Sequence, residues 1–198
     1  MGACLKNHAR GGKERVVPMR CGRRFADKKP EIYSKLFKVA EPGNYSIEEA
    51  NQFFAVSCNN AVWRLLCKAD QSKDDKNEII NLAHASLWHW SRRADCKMKN
   101  LQRGEYLIAL AYVNAGRKEP AMYHAKRCVE ITEANSAERE DFDLPYARLI
   151  MGMALRLNGS VAEAKKYLME AERLGDEIKN EKDKEIFVGD LRDAMAAF

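Results

Sequence analysis

The residues best suited to chemistry cluster in the first half of the chain: Asn59, Asn60 and Trp63, then His84, Trp88 and His89. Imidazoles bind metals and move protons near neutral pH. Amides orient a ligand, and an indole offers a stacking face. Spacing restricts what the two histidines can do together. Five residues at about 100° each put His84 and His89 about 140° apart around a helix. Zinc-binding helices use i, i+4 pairs, about 40° apart. At most one of the two faces any one site, and no metal site is expected. Two readings stay open. In one, both histidines are packed or hydrogen-bonded among aromatics, and the asparagines bond a neighbouring backbone. In the other, Asn59, Asn60, Trp63, His84 and Trp88 line a polar pocket between the first two helices, as in a small enzyme or ligand-binder.

Other chemistry is thinly supported. The six cysteines form no Cys-x-x-Cys pair. Cys58, Cys67 and Cys128 fall at apolar helical positions, so buried thiols are expected. Cys4, His8 and Cys21 could offer three zinc ligands, but their spacing fits no zinc module and a fourth ligand is missing. Gly-x-Ser-x-Gly, phosphate-loop and dinucleotide patterns are absent, and no catalytic residue or cofactor is assigned.

The elements that must position these residues read as helices. The chain has 198 residues, 46% hydrophobic and 32% charged, enough for one domain with a buried core. Its longest uninterrupted apolar run, Tyr106–Val113, falls far short of the roughly 20 residues of a membrane span. No membrane association is expected. Met1 is not followed by an apolar h-region, so no signal peptide is read and the expected location is cytoplasmic. The net charge of +5 divides unevenly: residues 1–38 hold eleven Lys/Arg and three Asp/Glu, leaving −3 for the remainder. Residues 1–29 are read as a basic disordered arm. Its charge could meet nucleic acid or acidic lipid, but Phe25 and Tyr33 make no aromatic ladder, so a nucleic-acid partner is not expected.

A single helical domain is expected over 30–198. Pro30 opens a short helix through Phe37, and Pro42-Gly43-Asn44 is a turn. Ser46-x-x-Glu49 is a capping box for the first long helix. A polar loop spans 69–76, and the second helix runs from about 75 to 93. The third stops at Gly116. Pro120 sits in the first turn of the fourth. Asp143 caps the fifth, Ser160-x-x-Glu163 caps the sixth, and Asn180 opens the last. Phe187, Leu191, Ala194 and Phe198 make an apolar stripe along that last helix.

Two stretches align at an offset of 43 residues: Tyr106-Leu107-Ile108-Ala109-Leu110-Ala111-Tyr112…Gly116…Ala121 and Leu149-Ile150-Met151-Gly152-Met153-Ala154-Leu155…Gly159…Ala164. Each reads as an apolar helix, a glycine stop and a second helix with small residues on one face. Position by position they resemble tetratricopeptide repeats. The small residue of the first helix is Ala109 and Gly152, and the large one three on is Tyr112 and Leu155. The small residues of the second helix are Ala121 and Ala164, then Cys128 and Ala171. The period departs from the family's 34, and the first pair fits the pattern poorly. Ala83-His84-Ala85-Ser86-Leu87-Trp88-His89-Trp90 and Asp141-Phe142-Asp143-Leu144 are similar to a group of uncharacterised bacterial helical-repeat proteins, a resemblance that carries no activity.

The resemblance implies an all-α fold of antiparallel hairpins stacked as a short α-solenoid. Its pairs would lie at about 46–93, 97–134 and 143–178, with a capping helix at 181–198. It implies a non-catalytic module that binds a protein or peptide partner. The groove positions it gives are Arg103, Tyr106, Leu110, Val113 and Asn114, then Tyr146, Leu149, Met153, Arg156 and Leu157. The family's Lys/Asn carboxylate clamp is absent: Tyr106 and Leu149 stand in place of its asparagines. An amphipathic helix or an extended apolar peptide suits such a groove. The last helix could fold back into it.

Overall fold

A computed structural model describes residues 5–8, 14–17 and 45–196. Leu5–His8 (β1) and Glu14–Val17 (β2) pair antiparallel, with Leu5 opposite Val17, a ladder that the reading of residues 1–29 as disordered did not foresee. The rest of that arm lies outside the described residues, as do the helix read at 30–37, the turn at 42–44 and Phe198.

From Ile47 onward the described chain is entirely helical. The helices are α1 (Ile47–Leu66), α2 (Lys73–Ser91), α3 (Met98–Asn114) and α4 (Lys118–Ala134). After them come α5 (Asp143–Leu157), α6 (Val161–Gly175) and α7 (Glu181–Ala196). Consecutive helices pack as pairs: α1 with α2, α3 with α4, α5 with α6. Each pair runs antiparallel. Ser86 Oγ donates to the Ala55 carbonyl while His89 meets Asn51, so rising numbers in one helix meet falling numbers in the other. Between pairs the first helices run parallel: Lys99 meets Glu140, Arg103 meets Asp143, and Tyr106 meets Tyr146.

Local chemistry fixes most helix ends. Ser46 and Glu49 cap each other reciprocally at α1. A second box, Ser72 with Asp75, starts α2 inside the stretch read as a loop. Asp rather than Glu at its third position hid it from the usual pattern. Lys68 beside Asp75, with help from Ser72, holds that carboxyl down to about 2. Asn180 Oδ1 accepts from the Lys182 and Asp183 amides, as read for α7. Two readings are corrected. Asp143 is the first helical residue rather than the cap, because Arg103 takes its carboxylate. Ser160 makes no capping hydrogen bond, its backbone having left the extended region that aims a cap inward. Gly116 and Gly159 turn the chain at φ 71° and 92°, the left-handed conformation that side chains resist.

Small residues set the spacing within pairs. Ala109, Ala121, Ala125 and Cys128 are fully buried between α3 and α4, as are Ala164 and Ala171 beside α5. At Gly152 an added Cβ would lie 2.8 Å from Leu168 Cγ and Cδ2 and 3.2 Å from the Ala164 carbonyl oxygen. Backbone cannot retreat as a side chain does. Gly152→Leu is therefore expected to destabilise the fold by about 1–3 kcal/mol through overpacking, measured as a lowered denaturant midpoint. An unchanged midpoint would show that α5 and α6 are not held at this distance.

Candidate functional site

The groove residues are drawn into internal contacts. Tyr106, at 2% exposure, is core, as are Leu110, Tyr146, Leu149 and Met153. Val113 is also buried, and Leu157 is half-buried. Arg103 grips Asp143 with two nitrogens, Nε to Oδ1 at 2.8 Å and Nη2 to Oδ2 at 3.0 Å. Its guanidinium also lies over the Phe142 ring. Asn114 donates to Gln71 Oε1, and the Gln71 amide in turn donates to the Leu65 and Leu66 carbonyls at the end of α1. Arg156 Nη1 donates to the Ala194 carbonyl in α7. The expectation that Arg103, Tyr106 and Arg156 share an accessible face does not hold for Tyr106.

The reason is α7. Its apolar stripe of Phe187, Leu191 and Ala194 is buried. Phe187 meets the Tyr146 ring edge-on at 5.0 Å, and Tyr146 meets Tyr106 edge-on at 5.4 Å. A row of three aromatics thus crosses α3, α5 and α7. Tyr146 donates its hydroxyl proton to Asp190 Oδ2 at 2.9 Å, both groups being buried. Burial, and then the Asp190 charge, push both tyrosine phenols well above their usual range, so Tyr146 remains a donor. Sequence had raised α7 as a possible occupant. The hydroxyl–carboxylate latch had no signal there, because Asp190 reads as one more surface acid.

The alternative pocket is not assembled. Trp63 is buried, while Asn59 and Asn60 are half-buried and make no side-chain hydrogen bond among the described residues. His84 points elsewhere. Its Nε2 lies 3.0 Å from the Tyr112 hydroxyl, and its ring is edge-on to His124 at 5.3 Å. His124 Nδ1 lies 2.6 Å from Glu105 Oε2, and the Tyr112 ring stacks on His124. This cluster joins α2, α3 and α4. Burial, then the neighbouring His124, push the His84 imidazole below its usual range, with Glu105 opposing. Among the described residues no three His, Cys, Asp or Glu side chains are placed to hold a metal ion. Cys128 is buried as expected, its thiol pushed up to about 12 by burial, whereas Cys58 and Cys67 are only half-buried.

His89 faces a different surface. Its Nδ1 pairs with Asn51 Oδ1 at 2.9 Å, its ring stacks on Phe54, and Trp88 meets it edge-on. The Arg92 guanidinium lies over Trp88. Around this node Phe53 and Phe54 remain 45% exposed, Trp88 53% and Ile47 83%. Six of the eleven exposed large apolar side chains described, Tyr45 and Val56 being the others, belong to the first pair or its leading edge, which makes that end of the stack the apolar one. The cause lies in packing: α3 lies along α5, and no comparable contact joins α1 to α3.

No family model matches the chain, and neither a curated protein nor a solved structure matches it. No helix among the described residues is long and apolar enough to cross a membrane.

Two outcomes are expected. Tyr146→Phe removes the hydroxyl that donates to the buried Asp190 carboxylate. It should cost about 1–3 kcal/mol and speed amide exchange in α7 ahead of α3 and α4. Unaltered α7 exchange would refute the latch. The second concerns pH. The folded state disfavours the charged forms of His84 and His89, both pushed down chiefly by burial from 6.5. The unfolded chain therefore takes up protons first as pH falls below about 6.5, and stability declines there while staying complete above it. His84→Gln should flatten that decline in melting temperature between pH 7 and pH 5.

Proposed function

We propose that this chain is a tetratricopeptide-like, non-catalytic module that binds a protein segment, and that the binding face is the apolar end formed by α1 and the end of α2. The observation that carries the reading is the exposure of Phe53, Phe54 and Trp88 around His89, with Ile47 also exposed at the start of α1. Monomeric proteins seldom leave a patch of several large apolar side chains on a terminal unit, because the ends of helical stacks need polar outer faces. The opposite end follows that rule, with α7 burying its stripe and turning most of its charges, Asp190 excepted, toward solvent. Aromatic side chains beside arginine are the residue types enriched at interface hot spots, and Arg92 over Trp88 supplies that pairing here. Among the described residues this face holds no converging set of acid, base and nucleophile. It suits an amphipathic helix or an extended apolar segment.

Phe54→Ser and Trp88→Ser should each leave the far-ultraviolet dichroism helical while reducing recovery of bound protein in pull-downs at least tenfold, about 1.4 kcal/mol per step. Tyr123→Ser and Met169→Ser, exposed apolar residues elsewhere, serve as controls. Equal recovery by all four variants would discard this face.

A further inference from the structure

Histidines stand at the joint between the first and second helix pairs, where lysine and arginine stand at the next joint. Between the second and third pairs Lys99 meets Glu140, Arg103 meets Asp143 and Arg148 meets Glu133. Those residue types do not ordinarily change charge near neutral pH, whereas an imidazole does. At the first joint His84 of α2 puts Nε2 3.0 Å from the Tyr112 hydroxyl of α3, and its ring centre lies 5.3 Å from that of His124 on α4. We propose that this joint is a proton-operated hinge: charging both imidazoles parts α1 and α2 from α3 and α4 while the later pairs stay packed. The inference does not depend on the binding face argued above.

Three observations carry it. The first is a shortage of counter-charge. Glu105 of α3 lies 2.6 Å from His124 Nδ1. Its carboxylate balances one imidazolium, and a second on His84 then faces a cation across 5.3 Å. Like charges at that separation repel, more strongly where water is excluded. The Tyr112 hydroxyl can turn to accept from a charged His84, but it brings no charge. One turn away on α2 stand Ile80, Asn81, Leu87 and Trp88, none of them charged. The charges that act on His84 are His124 and Glu105, from α4 and α3, and none comes from α1.

The second observation is mechanical. The first helices α3 and α5 lie along each other, and no comparable contact joins α1 to α3. The first pair therefore depends chiefly on α2 for its attachment, and movement of α2 carries α1 with it. The third is the direction of the coupling. His84 is held below its usual 6.5 by burial first, then by His124, with Glu105 opposing. The closed joint disfavours the charged ring, so opening binds a proton and becomes more frequent as pH falls below about 6.5. Local opening of one packed unit ahead of the rest is the form such a switch takes.

The experiment uses the full chain and follows amide exchange, corrected for the intrinsic effect of pH. From about pH 7.5 to about pH 5.5, protection in α1 and α2 should fall at least about threefold more than protection in α5 and α6. His84→Gln should remove that difference. His89→Gln, a histidine inside the first pair, should keep it. In His124→Gln the His84 imidazole, followed by nuclear magnetic resonance, should titrate at higher pH than in the wild type, because the opposing cation is gone and Glu105 remains. An equal loss of protection in every pair, or none at all, overturns the hinge without recourse to any variant. So does a selective loss that survives His84→Gln or vanishes with His89→Gln. An unchanged His84 midpoint in His124→Gln shows that the two rings do not sense each other, and the proposal falls with it.

Discussion

Close approach of helices through small side chains is the constraint on which the rest of this structure depends. Gly152 leaves no room for even a Cβ against Leu168 and the Ala164 backbone. Ala109, Ala121, Ala125 and Ala171 do the same work with a single methyl group each. At such distances dispersion contacts are dense, and interiors packed this tightly transmit rather than absorb a displacement. The helix pairs consequently behave as fixed units, and the larger side chains between them, such as Ile108, Leu149, Ile150 and Met153, fall into register along the stack.

Register along the first helices is set by polar groups acting on that rigid frame. Arg103 reaches Asp143 with two parallel hydrogen bonds, Gln71 ties the end of α1 to Asn114, and Tyr146 reaches Asp190. Each is directional, and each is at least partly removed from water, so a slip of one turn would leave a buried group unsatisfied. The edge-on row of Tyr106, Tyr146 and Phe187 follows the same line through three helices. The surface that a groove would have offered has become the seam where α7 docks.

The two ends of the stack differ for that reason. At the far end α7 supplies a buried stripe and a charged exterior. At the near end α1 is packed chiefly on α2, and its remaining circumference carries Ile47, Phe53, Phe54 and Val56. These apolar side chains lie among Glu48, Gln52 and Arg64, and they are where the proposed association would take place. The histidines divide along the same boundary: His84 joins Tyr112, His124 and Glu105 between helices, while His89 orders the rings of the exposed face.

The sequence by itself determined the helices, most of their ends and which residues could lie close together. Capping at Ser46 and Asn180, the left-handed turns at Gly116 and Gly159, and the repeated small residues are local or periodic signals, legible without coordinates. It also separated His84 from His89, because 140° of helical rotation cannot be undone by packing. Tertiary structure decided which way each helix face turned. Tyr106 and Trp88 are both aromatics at plausible surface positions, yet one is buried against Tyr146 of α5 and the other stays open. Asp143 and Asp190 look like ordinary acids until Arg103 and Tyr146 arrive from helices about forty positions away in sequence. Pairings of that kind depend on the relative placement of rigid helices. Composition and periodicity describe one helix at a time and carry no term for that placement.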